Sequence, residues 1–205
     1  MKKYLALAAM AALVLVSCEK GFGTDGKGDE GDGAKVSGIV FNEIDANNKA
    51  IELYNTTDAE VSLKGIYIVK YDASKEGGKT TTWTAADLKL KAKSWMYIES
   101  SDLADEVEGG DPNYKYQSED HIFKGGLSGK KNVKLELYAA DGSLLDTFVR
   151  GEEGAGWNQV GGFNNNKEAS FCRVPDGSGE WVYAAPTPGK ANGEKTGDIE
   201  QQPKA

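Results

Sequence analysis

Histidine and cysteine, which most zinc sites and many nucleophilic sites require, are almost absent from this sequence. The 205 residues contain a single histidine, His121, and two cysteines, Cys18 and Cys172. No His/Cys cluster supports a metal site, and a Ser-His-Asp arrangement would have to use His121. A GxxxxGK[ST] phosphate-binding loop is also missing. The sequence therefore predicts no catalytic residue, no metal and no cofactor, and it favours a protein that is not an enzyme.

Positive charge is also scarce in this chain. It carries 24 Lys and Arg against 32 Asp and Glu, which gives a net charge of −8. A chain this acidic is repelled by phosphate backbones, where non-specific binding depends on the release of counterions. Nucleic acid is therefore disfavoured as a partner.

One apolar run occurs at the N-terminus, where residues 5–16 follow Lys2 and Lys3. A basic start and an apolar run too short to span a bilayer are typical of a secretory signal. The run ends in Leu15-Val16-Ser17-Cys18, which resembles the lipobox of bacterial lipoproteins. The resemblance implies removal of residues 1–17 and acylation of Cys18, by palmitate among other chains. Two or three acyl chains make a durable membrane anchor.

Lipidation of Cys18 would leave Cys172 without a partner for an intramolecular disulfide. Cys172 is therefore expected to be a small buried side chain in a strand.

Residues 18–35 consist almost entirely of Gly, Asp, Glu and Lys. Such a segment buries too little apolar surface to fold, and its glycines make it a flexible tether. Glu19 stands where inner-membrane lipoproteins carry aspartate, so the resemblance favours the outer membrane or the cell surface. At the other end of the chain, residues 193–205 are polar and are predicted to form a disordered tail.

Residues 36–192 are predicted to form a single β-domain of short strands separated by turn signals. In the second strand, Ile51 and Leu53 are expected to point inward, with Glu52 and Tyr54 outward. Residues 133–149 predict a hairpin around Asp141-Gly142. Many short antiparallel strands without a convincing helix indicate a sandwich. The predicted strands are Val36–Ile44, Lys49–Asn55, Val61–Tyr71, Thr80–Thr84, Ser94–Glu99, Asn132–Ala139, Ser143–Val149, Glu168–Val174 and Glu180–Tyr183.

The order of these segments resembles the lamin-tail domain over about residues 36–192. The resemblance is carried by Ile39-Val-Phe-Asn-Glu-Ile44, Ile51-Glu-Leu-Tyr-Asn55, Val133-Lys-Leu-Glu-Leu-Tyr138 and Thr187-Pro-Gly-Lys-Ala-Asn192. It implies an immunoglobulin-like antiparallel β-sandwich. The sequence departs from the family in an acidic insertion at residues 100–117, which is interpreted as a loop.

Three polar residues in the lamin-tail segments are interpreted as structural. Asn42, Glu43 and Glu52 are expected to supply side-chain hydrogen bonds between strand ends. A catalytic role for Glu43 or Glu52 is the less favoured alternative.

A long Gly/Asn-rich stretch, residues 151–166, places aromatic rings beside amide side chains. Such a set suits sugars, because rings stack on C–H faces and amides bond hydroxyls, and functional residues favour loops on a rigid scaffold. The alternative is that Trp157 and Phe163 fold back as lids on the sandwich. The candidate ligand residues are Trp157, Asn158, Gln159, Phe163 and Asn164.

The remaining tryptophans, Trp83, Trp95 and Trp181, lie in predicted strands and are expected in the core. His121, beside Ile122 and Phe123, is expected at the end of a strand rather than in a catalytic site.

These observations favour a lipid-anchored, non-catalytic module that binds an envelope protein or a glycan. Two alternatives stay open: a scaffolding module without a small ligand, and an accessory to a nuclease or hydrolase.

Overall fold

The computed structural model describes residues 38–71, 78–102, 119–151, 157, 169–178 and 180–199. Within these ranges the chain forms thirteen strands and one 3₁₀ turn, Glu119–His121. The strands are β1 Ile39–Asp45, β2 Ala50–Asn55, β3 Val61–Ser62, β4 Tyr67–Tyr71, β5 Lys79–Thr84, β6 Lys89–Leu90, β7 Trp95–Ser100, β8 Ile122–Phe123, β9 Val133–Tyr138, β10 Leu144–Arg150, β11 Ser170–Val174, β12 Glu180–Ala184 and β13 Lys195–Gly197.

Two main sheets form a sandwich. The larger has the order β13-β12-β11-β1-β2-β7-β8 and the smaller has the order β10-β9-β4-β5, while β3 and β6 form a separate pair. Alternate side chains of both sheets meet in one hydrophobic core that includes Phe41, Ile51, Ile68, Leu135 and Phe148. Period-two burial of this kind is what two packed sheets require. The predicted all-β sandwich is confirmed.

Strand pairing is antiparallel throughout the described residues except between β7 and β8, which are parallel. The predicted hairpin is confirmed, since β9 pairs with β10 in antiparallel register. Its turn has Gly142 at φ 83°, in the left-handed region that glycine adopts without strain. The Asp141 carboxylate accepts hydrogen bonds from the Ser143 amide and hydroxyl and fixes the turn.

Four predictions differ from the structure. Val61–Tyr71, predicted as one strand, is divided by a turn into β3 and β4, which belong to different sheets. Glu52 lies on the outer face of its sheet as expected, but it is fully buried. Trp95 is only half-buried, whereas Trp83 and Trp181 lie in the core as predicted. Lys195–Gly197, within the predicted disordered tail, forms β13 by pairing with β12. The acidic insertion lies outside the described residues from 103 onward.

Candidate functional site

The outer face of the seven-stranded sheet carries two buried carboxyl groups. Glu43 on β1 lies opposite Glu52 on β2, and their exposed fractions are 1% and 0%. Glu43 Oε1 accepts a hydrogen bond from Ser170 Oγ at 2.6 Å, and Oε2 accepts from the Thr187 amide and hydroxyl at 3.1 Å. Both oxygens of Glu43 are therefore occupied by partners within the protein.

Glu52 is bound in the same manner. Its Oε1 accepts from Asn42 Nδ2 at 3.0 Å, and its Oε2 accepts from the Gly189 amide at 2.7 Å. Burial raises the pKa of Glu52 to about 8, against the lowering effect of these two hydrogen bonds. Burial also raises the pKa of Glu43, which its bonds to Ser170 and Thr187 partly offset. Desolvation disfavours the charged form of both acids.

These carboxyl groups hold down the C-terminal segment 185–192, hereafter the strap. Thr187 and Gly189 of the strap bond Glu43 and Glu52, as described above. Further along, Asn192 Nδ2 donates to the carbonyls of Asn42 and Arg173, at 3.1 and 2.9 Å. The expected hydrogen-bonding role of Asn42, Glu43 and Glu52 is confirmed. Because all four carboxyl oxygens are engaged, the pair offers no free group to a substrate.

The strap forms one wall of a groove of about 480 Å³, hereafter the Trp95 groove. Pro188 and Gly189 line this wall, and Trp95 and Tyr97 of β7 line the groove beside them. Volumes of this size are typical of small-ligand sites.

Strand alternation explains the aromatic floor of the groove. Met96 and Ile98 enter the core, so Trp95 and Tyr97 point to the outer face. Trp95 also contacts Tyr54 of β2, with ring centroids 5.5 Å apart. This site was missed from the sequence, although the alternation within Ser94–Glu99 contains the signal for it.

Two groups on the floor have distinctive chemistry. Trp95 Nε1 is buried and has no hydrogen-bond acceptor among the described residues. Burial raises the pKa of Tyr97, and the carboxylates around it raise it further, so its phenol stays neutral. The floor thus presents apolar ring surface and a neutral phenol, while the indole N–H itself is inaccessible.

A second wall of the groove is formed by β6 and the residue that follows it. Lys89, Leu90 and Lys91 line it, and Asn55 Nδ2 donates to the carbonyls of Leu90 and Lys91 at 3.1 and 3.0 Å. Ser94 Oγ donates to the same Lys91 carbonyl at 2.7 Å. Both walls are therefore held by hydrogen bonds to the sheet, and the groove is preformed, which lowers the cost of binding.

His121 ends the 3₁₀ turn immediately before β8, as predicted, and it also lines the Trp95 groove. Cys172 is fully buried, and burial raises the pKa of its thiol, so it is not a poised nucleophile. Among the described residues, no group of three or more His, Cys, Asp or Glu side chains is placed to hold a metal ion.

Of the ligand residues predicted from the sequence, Trp157 alone lies within the described residues. Trp157 is buried, with 9% of its surface exposed, and its ring meets Tyr71 edge-on at 6.4 Å. It lines a second, smaller cleft of about 240 Å³ together with Lys70 and Asn132. Asn158, Gln159, Phe163 and Asn164 lie outside the described residues, so ligand binding by this loop stays a prediction.

No helix in the described ranges combines the length and the hydrophobicity that crossing a bilayer requires.

Comparison with known proteins identifies the fold family. No curated protein matches the chain significantly. The family model of the lamin tail domain matches residues 33–152, more than half of the chain. The match ends before β11, yet β11 pairs with β1 inside the matched region, so the same domain continues through β11–β13. The chain belongs to the lamin tail domain family, whose immunoglobulin-like, non-catalytic sandwich it carries.

Proposed function

We propose that the protein is a non-catalytic binding module, anchored by lipid at Cys18 to the bacterial outer membrane or cell surface, that holds a glycan in the Trp95 groove. The observation that carries this proposal is the aromatic floor of Trp95 and Tyr97 between two walls fixed to the sheet. A binding module needs such a preformed surface and needs no catalytic group.

Sugar rings suit this floor. Their C–H faces are apolar and pack on aromatic rings such as those of Trp95 and Tyr97. Trp95 is half-buried, so part of its ring is exposed to a ligand while the rest is held by packing against neighbours such as Tyr54. The Trp157 cleft is the weaker candidate, because both Lys79 and Lys134 lie over the Tyr71 ring, 5.0 and 4.4 Å from its centroid.

The proposed anchor is supported by the lipobox-like sequence Leu15-Val16-Ser17-Cys18. We expect the full chain to enter the detergent phase of a Gram-negative membrane extract and to incorporate a palmitate analogue. Cys18→Ser should move the protein to the aqueous phase without the label, because the acyl chains attach to the thiol. Equal partitioning of the two proteins would contradict the anchor and leave the groove proposal untouched.

Trp95→Ala should weaken binding of the glycan that the wild type retains, measured on a glycan array and by calorimetry. Loss of one stacked aromatic ring should weaken binding at least tenfold, or about 1.4 kcal/mol. Tyr67→Ala, which removes a half-buried tyrosine from the other sheet, is the matched control and should keep wild-type affinity. Trp95→Phe keeps an aromatic ring that can pack on Tyr54, so this variant should fold. If Trp95→Ala loses both binding and stability, Trp95→Phe shows whether the loss of binding is due to unfolding.

The outcomes distinguish the functional classes. Binding that survives both Trp95 variants would remove the groove as the site. An envelope protein that co-purifies with the wild type but not with Trp95→Ala would indicate a protein partner instead of a glycan. Co-purification that is unchanged by Trp95→Ala would indicate a scaffold.

A further inference from the structure

We infer that the ligand of the Trp95 groove is an acidic glycan, one whose sugar rings carry carboxylate groups. This inference rests on the proposed function and adds the chemical class of the ligand. It is carried by the lysines that line the groove and by the aromatic rings on its floor.

The rim of the groove is basic in an acidic chain. Lys89 and Lys91 line the groove, and among the described residues no Asp or Glu lines it. The whole chain has 32 acidic against 24 basic side chains, so this local reversal is unexpected from composition. A carboxylate that contacts this rim therefore meets two lysines, whereas the acidic groups that raise the pKa of Tyr97 act on the floor of the groove.

Lys91 is the central cation of this rim. Its side chain is exposed and has no side-chain hydrogen bond or ion pair among the described residues, while its carbonyl is held by Asn55 and Ser94. The backbone is thus fixed and the ammonium group is available. Lys89 meets Glu60 at 3.6 Å, and both side chains are largely exposed. Exposed pairs of this kind are weak, so a bound carboxylate competes readily for Lys89.

The aromatic floor supplies the second, independent observation. Trp95 and Tyr97 line the groove beside Lys89 and Lys91. A uronic acid combines a carboxylate that these lysines can bind with a sugar ring that can stack on the floor.

The experiment uses matched ligands that differ only in charge. The mature chain is titrated with oligomers of galacturonate, glucuronate and mannuronate, with the methyl esters of the same oligomers, and with neutral glycans. We expect at least one acid form to bind about tenfold more tightly than its ester at low salt, which corresponds to about 1.4 kcal/mol. The difference should shrink as salt rises.

Lys91→Ala should weaken binding of the acid form several-fold and leave binding of the ester unchanged. Lys130→Ala is the matched control, because Lys130 is exposed and does not line the groove. Equal binding of acid and ester, or binding of neutral glycans alone, would overturn the inference and leave the proposed function standing. If no glycan binds, the proposed function itself fails. Equal capture of poly-glutamate would show that charge, and not sugar, is recognised.

Discussion

Asn42→Ala should lower the free energy of unfolding by about 3–5 kcal/mol, a large fraction of the stability of a single domain. The Asn42 side chain is fully buried and joins three parts of the chain. Its Nδ2 donates to Glu52 Oε1 and Asp176 Oδ1, both at 3.0 Å, and its Oδ1 accepts from the Gly177 amide at 2.9 Å. Alanine leaves several buried polar groups unpaired, each at a cost of about 1–3 kcal/mol.

Urea unfolding monitored by tryptophan fluorescence measures this effect. Ser143→Ala is the control, since Ser143 is exposed and its hydroxyl donates to the exposed Asp141 within the same turn. We expect the control to lose less than about 1 kcal/mol, typical of a surface substitution. A loss that is equally small for Asn42→Ala would contradict the role assigned to its side chain in joining β1 to β2 and to the turn after β11.

The sandwich was predictable because burial alternates with period two. Strands β2, β7 and β9 each place apolar side chains in the core at every second position, and the turn at Asp141-Gly142 has the chemistry of a hairpin. β13 escaped prediction because Lys195–Gly197 has no apolar pattern. It is ordered by pairing with β12 and by the burial of Ile199, neither of which is a local property.

The groove was less predictable than the fold, for a physical reason. Alternation assigns Glu52 to the outer face but does not say whether another segment covers that face. The cover is the strap, whose Gly189 lies 137 residues away from Glu52 in sequence. Trp95 was also hard to place from the sequence, because a tryptophan in a strand is usually expected on the face that packs in the core. Its neighbours Met96 and Ile98 occupy the inward positions and leave Trp95 outside.

The free energy of unfolding should fall as pH rises from about 5 to 8. Burial raises the pKa of Glu52 from 4.5 to about 8, so between these values the folded state holds a proton that the unfolded state has released. The stabilising effect of this raised pKa is fully present below about 4.5 and is lost as pH rises through about 8. The slope from one such group is at most about 1.4 kcal/mol per pH unit. Glu43, whose pKa is also raised by burial, acts in the same direction.

Glu52→Gln removes this titration while keeping the shape of the side chain. The variant should lose stability at pH 5, because its amide nitrogen now faces a donor, Asn42 Nδ2 or the Gly189 amide. Its stability should depend less on pH, so the difference from the wild type narrows or reverses towards pH 8. Urea titrations at pH 5, 6, 7 and 8 measure both curves, with the exposed Glu180→Gln as control. Parallel curves for wild type and Glu52→Gln would show that Glu52 is ionised throughout, and that the strap is bound to a buried carboxylate rather than to a carboxylic acid.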